Sequence, residues 1–410
     1  MTRAPSLYRN VAVLAACQAL FFVANTVLIS TAALVGLHLA PTPALATLPI
    51  GVQFIGALLL TMPASFLMAR IGRRPGLVIG MTLGVLSGWL GFVAIMRGSF
   101  LLFCLSGALY GGFSAFCQYF RFTAADAADA ACCAVASAGR EAQKLRARAI
   151  AWVMAGGIVA AFAGPHLAVA TKELFAPILF AGSYAAIALI AALAGLILLA
   201  LDLPLASGVR VEAGGRSNLE IIRDPKVLTA FAAAIVAYVT MNLLMVATPL
   251  AMLACAHPFE DAASVIQWHV VGMFAPSFVT GPLIARFGTR SVIAAGAAIM
   301  LACVAIHLSG VELAQFLTGL FLLGVGWNFM FVGATTLLTE CYSPAEKARV
   351  QGLNDLVLFT TVAASATLSG LLHDAIGWQG MNLVVVPALV AVLAMILLWR
   401  PAPALPTPAV

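Results

Sequence analysis

Charge is what this sequence has least of. Only 9% of its 410 residues are Asp, Glu, Lys or Arg, where a soluble domain carries about a quarter. Apolar residues make up 63%, and mean hydropathy is +1.07. This excludes a chain with a sizeable soluble domain and predicts an all-α polytopic membrane protein. Paired cysteines are also missing. Without a C-x-x-C pattern, the eight cysteines form neither a zinc site nor a secreted framework. Cys17, Cys104, Cys117, Cys255 and Cys303 lie in or at the ends of apolar segments, where cysteine behaves as a small hydrophobe. Cys132 and Cys133 adjoin in a polar loop, and Cys341 ends a span. There is no P-loop, nucleophile elbow, haem-binding cysteine pair or HExxH. Catalysis has no foothold, and no prosthetic group is implied. The net charge of +6 follows from membrane topology and calls for no nucleic-acid partner. The opening MTRAPSLYRN runs into a long apolar stretch without a short cleavable core, which predicts a retained first span.

A span needs about 20 apolar residues. Twelve are predicted, at 11–36, 43–69, 75–96, 100–122, 147–170, 174–201, 227–253, 262–286, 291–309, 312–338, 347–372 and 378–399. Of the 21 Lys and Arg, all but Arg97 and Lys172 fall in alternate inter-span segments, on the side of both termini. The positive-inside rule places those segments and both termini in the cytoplasm, with the chain in a bacterial inner membrane and the lipid bilayer as its surroundings. Residues 1–201 form a first six-helix half, 202–226 a cytoplasmic linker and 227–400 a second half. The proline-rich 401–410 reads as a disordered tail. Nothing in the sequence calls for more than a monomer.

One stretch stands out for soft ligands. Met241 and Met245 lie four residues apart on span seven, and His269 and Met273 four apart on span eight. Residues at i and i+4 share a helix face. In a hairpin that turns near His257, Met245 is level with His269, and Met241 with Met273. Thioethers with one imidazole suit Cu(I) and disregard Mg2+ or Ca2+. Met252 and Cys255 extend the stripe as auxiliary ligands, within an arc of about 80° on a helical wheel. Asn242 points away and is expected to bond another helix. Methionine at helical spacing ordinarily fills core gaps, and that reading stands beside the metal one. An ionisable histidine at membrane depth is a functional hypothesis by default.

The halves also share a repeat. Ser65 to Arg74 reads SFLMARIGRR, and Gly281 to Arg290 reads GPLIARFGTR, 216 residues later. The segment resembles the loop motif G-x-x-x-D-R-x-G-R-R of the major facilitator superfamily. Its Arg-x-Gly core is kept as Arg70/Gly72 and Arg286/Gly288. Ala69 and Ala285 stand where that family has aspartate, and Ser65 where it has glycine. The methionine and histidine pairs further resemble the CcoA-like copper importers of that superfamily, in residue type, span and order. Phe120-Arg121-Phe122 with Ala124, Ala125 and Asp126 is similar as well. That resemblance implies a twelve-helix carrier importing copper by alternating access, for assembly of a cytochrome oxidase. The ion would be bound transiently by Met241, Met245, His269 and Met273 and passed to a cytoplasmic acceptor.

Intramembrane acids are scarce. Asp355 in span eleven, and Asp126 with Arg121 at the end of span four, are the candidate coupling residues, against a plainer role in salt bridges to basic loops. Gly156, Gly157, Gly164 and Pro165 in span five signal close helix packing. A rival substrate is an organic solute such as riboflavin, stacked on Trp152, Tyr119, Phe120, Trp268 or Trp327. Metal export is a further alternative.

Overall fold

The computed structural model describes residues 7–134, 145, 148–150, 152–203, 218–342 and 346–398. The proline-rich tail, linker residues 204–217 and the side chains of Cys132 and Cys133 lie outside it. Apolar runs in lipid must satisfy their backbone internally, and every described span is helical. Spans one to seven are Leu7–Leu39, Leu48–Ile71, Arg73–Met96, Phe100–Ala128, Arg148–Thr171, Ala181–Leu198 and Pro225–Ala254. Span eight is the bent pair Phe259–Phe274 and Ser277–Phe287, span nine Thr289–Ser309 and span ten Leu313–Thr339. The long helix Lys347–Leu398 holds spans eleven and twelve, divided at Gly377, whose φ of 65° breaks the helix.

Two segments depart from the expected run. Span six begins at Ala181, not near residue 174. Leu174 to Phe180 is apolar, but Pro177 lacks an N–H, and the chain reverses at Phe180. That residue has φ 65° and donates its N–H to the Lys172 carbonyl at 2.7 Å. Span eight is bent by 40° at Ala275 and Pro276. Proline removes a helical donor there, and Asn328 of span ten fills the gap. Its Nδ2 donates to the Met273 carbonyl and to Ser277 Oγ, both at 2.7 Å. Its Oδ1 accepts from Thr280 Oγ1 at 2.6 Å.

The sequence repeat is a structural repeat. Gly72 and Gly288 take φ 94° and 81°, which glycine alone adopts without strain, and each joins one span to the next. Just past them, Arg73 Nε donates to Asp126 Oδ2 at 2.8 Å. In the second copy Thr289 Oγ1 donates to Glu340 Oε1 at 3.2 Å. In both halves the loop is tied to the end of a later span, and the acid sits there instead of in the motif.

Within the halves span two packs on four, three on six, seven on eleven and nine on ten. The halves meet through spans two and eleven, five and eight, and one and seven. Gly164 lies against Thr26 and Gly156 against Ala19, where any added carbon would collide, so the span-five glycines do serve close packing. The cross-half bonds gather at the face opposite the arginine-rich loops. Thr47 Oγ1 donates to the Thr367 carbonyl at 3.3 Å and accepts the Gly370 N–H at 2.8 Å. Phe180 meets Phe259 edge-on at 5.0 Å. Deeper in, Phe22 packs on Phe274 at 5.5 Å.

Candidate functional site

Toward the basic face the two halves present opposite charges. Arg121 of span four and Asp355 of span eleven are both exposed and within electrostatic range of one another. The Arg121 guanidinium lies 4.8 Å over the Phe122 ring. Asp355 Oδ1 accepts from Asn354 Nδ2 at 3.2 Å. Deeper, span ten stacks Trp327 on Phe331, with centroids 5.1 Å apart and planes at 10°. Tyr238 of span seven closes edge-on against both, at 5.6 and 5.5 Å. Trp327 lies fourteen residues into its helix and Tyr238 thirteen into its own, about 20 Å from a helix end at 1.5 Å per residue. That is mid-bilayer depth.

The result is a wall of packed rings between spans seven and ten, with Trp327 itself largely buried. Such rings gain about 0.5–1.5 kcal/mol from each well-placed aromatic partner. Of the five aromatics expected to stack on a flat solute, Trp327 alone belongs to this wall. Phe120 is fully buried. Tyr119 donates its hydroxyl to the Thr61 carbonyl at 3.0 Å and lies under the Arg73 guanidinium at 5.8 Å. Trp152 and Trp268 are exposed. Tyr238 and Phe331 escaped the sequence reading because isolated rings in apolar helices carry no distinguishing pattern.

Asp126 is held by Arg73, the plainer of its two expected roles. Asn242 bonds another helix, donating to Ser365 Oγ at 3.0 Å.

The soft residues lie elsewhere. Met241, Met245 and Met252 are buried along span seven, and Cys255 is partly buried at its end. Met273 is partly buried on span eight. His269 is fully buried and held from span ten, its Nδ1–H donating to the Leu320 carbonyl at 2.8 Å. Its Nε2 is buried with no hydrogen-bond partner among the described residues. Spans seven and eight each pack more on span ten than on one another. Among the described residues no three His, Cys, Asp or Glu side chains form a metal-binding group, so a soft site would rest on the thioethers.

At the far face Lys172, just past span five, donates to Glu260 of span eight, with Glu173 3.5 Å away. The hydrogen bond to Glu260 holds the Lys172 ammonium above its ordinary range.

A family model described as Major Facilitator Superfamily matches residues 230–410. The chain is 38% identical over 403 residues to a protein of Brucella anthropi named Riboflavin transporter RfnT, covering 97% of each. It is 28% identical to an uncharacterized MFS-type transporter of Bacillus subtilis, YdeG, over 87% of this chain and 84% of that one. Among solved structures it resembles a bacterial homologue of the iron transporter ferroportin in an inward-facing state. The TM-score is 0.71 at 14% identity, over 96% of this chain and 99% of that one. The nucleoside transporter NupG gives 0.70 at 13% identity, over 94% and 99%. At these identities the two structures speak for the fold alone.

Proposed function

The chain belongs to the major facilitator superfamily, and from that premise we propose that it carries riboflavin, or a close flat heteroaromatic relative, into the cell by alternating access. The observation that supports this most is the end-to-end likeness, at 38% identity, to a relative named as a riboflavin transporter. The wall of Trp327, Phe331 and Tyr238 agrees with it, since an isoalloxazine ring needs π-faces and few charges. In this reading the arginine-rich face is cytoplasmic. The seam of Thr47, Lys172, Glu260 and Phe259 is the closed outer gate, and Arg121 and Asp355 lie toward the inner face. Binding at the meeting of the two halves follows from rocking one against the other about a fixed site.

The test is uptake of radiolabelled riboflavin by a riboflavin-requiring bacterium that lacks its own importer. Expression of this chain should restore growth at low riboflavin and saturable uptake. Neither occurring would sink the reading.

One observation favours a second reading. With Nδ1–H of His269 tied to a carbonyl, its bare Nε2 is in the state a metal-bound imidazole adopts. Cu(I) would then be the cargo, with Met241, Met245 and Met273 as partners and cytochrome oxidase as one destination. Copper accumulation that is lost in Met245→Leu and His269→Leu, without any riboflavin uptake, would replace the first reading with this one.

A further inference from the structure

The second copy of the repeat borders a cavity that shares no residue with the ring wall. It holds about 570 Å³, within the roughly 300–1,000 Å³ of ordinary ligand sites. Four spans of the second half meet there. Lys226 comes from the start of span seven and Arg290 from the start of span nine. Glu340 follows the end of span ten, and Ile396 and Leu397 end span twelve. Gly288 stands at the rim, where an added carbon would meet nothing within 4 Å. Arg290 Nη2 donates to the Ile396 carbonyl at 2.6 Å, which anchors the guanidinium at the cavity wall. Glu340 is the one acid among the described lining residues, and it accepts from Thr289 Oγ1 at 3.2 Å. Lys226 and Arg290 against Glu340 leave the lining a formal charge of +1. Span nine begins at this spot with no side-chain cap, so the partial positive charge of its first N–H groups adds to the two cations. The other side of the cavity is apolar. Two of its residues, Phe287 and Leu397, are 55% and 66% exposed, so the cavity opens beside the lipid-facing surface.

We infer that this cavity binds the headgroup of an anionic phospholipid. The phosphate rests against Lys226, Arg290 and the start of span nine, and the acyl chains run out along Phe287 and Leu397. A guanidinium fork suits phosphate oxygens, and a basic pocket between helix ends at the membrane boundary is the setting in which anionic headgroups are held. A zwitterionic lipid brings an ammonium that the two cations repel. Free phosphate would leave the apolar side without a partner. The segment after Leu398 begins beside the cavity, but its one charged side chain is Arg400, a third cation where an anion is called for. Binding here does not depend on which solute the protein carries.

The experiment is native mass spectrometry of the purified full-length protein in detergent, titrated with dioleoyl phosphatidylglycerol, with dioleoyl phosphatidylcholine and with inorganic phosphate. The first phosphatidylglycerol should bind at least about tenfold more tightly than phosphatidylcholine, the scale set by two cations near the membrane surface. Lys226→Gln should weaken that first event about fivefold, as should Arg290→Gln. Glu340→Gln removes the opposing charge, keeps an acceptor for Thr289, and should tighten it. Arg74→Gln takes the same charge from an exposed position in the first copy of the repeat and should leave it unchanged. Phosphatidylglycerol should also raise the thermal midpoint of the wild type, and raise that of Lys226→Gln less. Equal binding of the two lipids overturns the inference. So does an Arg74→Gln effect as large as that of Lys226→Gln, which would mean a general field and no site. Displacement of phosphatidylglycerol by equimolar inorganic phosphate overturns it as well, leaving a site for free anions. If Arg290→Gln does not fold, Lys226→Gln and Glu340→Gln, both at exposed positions, still decide.

Discussion

Lys172 donates to Glu260 across the seam between the two halves, linking the end of span five to the start of span eight. Their contact lies beside the edge-on pair Phe180 and Phe259. Both charges are partly in solvent, Glu260 with 47% of its side chain exposed, so the pair is worth no more than about 1 kcal/mol. Glu260→Gln should therefore loosen this face by no more than about fivefold. The measure is thiol labelling of Ala46→Cys, a position buried behind the seam. The charge-reversed double variant Lys172→Glu with Glu260→Lys should bring labelling back toward the wild-type rate. Labelling unaffected by any of these changes would remove the pair from the gate.

The same contact fixes its own pH response. A base whose pKa is raised in the folded state contributes fully below its ordinary value and loses that contribution as pH rises through the raised one. For Lys172 the ordinary value is about 10.4, and the shift is upward. Labelling at position 46, corrected for the thiolate fraction of the probe cysteine, should be flat from about pH 7 to about pH 9 and rise only in stronger alkali. A rise below the ordinary lysine range would point to another group.

Trp327→Leu removes the ring that stacks on Phe331 at 5.1 Å. Uptake of riboflavin should fall about two- to tenfold, the scale of one aromatic contact. Tyr238→Phe keeps the edge-on ring and should cost less than about twofold. A fall of equal size in both would mean that the Tyr238 hydroxyl matters as much as the Trp327 ring.

Gly324 and Gly352 give a matched pair. A carbon added at Gly324 would sit 2.4 Å from the His269 carbonyl, whereas at Gly352 nothing lies within 4 Å. Gly324→Ala should lower the thermal midpoint of the purified protein by separating spans eight and ten. Gly352→Ala should raise it slightly, or leave it, by the roughly 0.5–1 kcal/mol that alanine gains over glycine in a helix.

Asn328→Leu should destabilise by about 1–3 kcal/mol for each buried group left unpaired, read in the same thermal assay. The Met273 carbonyl loses its Asn328 partner, Ser277 can turn to solvent, and the Thr280 hydroxyl falls back on the Pro276 carbonyl at 2.8 Å. Asn328→Asp, which keeps the acceptor but not the donor, should fall between the two.

The spans and the pairing of halves were legible because apolar length and the Arg-x-Gly repeat are local signals. So was the salt-bridge role of Asp126, since Arg73 follows the repeated glycine. The kink at Pro276 was half legible: the proline is visible, but Asn328, which makes the break tolerable, comes from another span. The ring wall was not legible. Tyr238, Trp327 and Phe331 come from two spans, and only packing brings them to one place. The methionine and histidine pattern was the most conspicuous local signal, yet its i,i+4 spacing is also what a buried helix face produces. Met241 and Met245 are buried as such a face would have them.

The bend in span eight bears on how fast the protein can work. A straight helix that must flex during a transport cycle has to break backbone bonds that neighbours in lipid cannot replace. Span eight is already interrupted at Pro276, and what steadies it is a side-chain amide. The segment Ser277–Phe287 can swing by exchanging three side-chain bonds at Asn328 while both helical pieces stay intact. The barrier to reorienting that half is thereby localised at one residue, which makes the rate of the cycle tunable without touching the solute site.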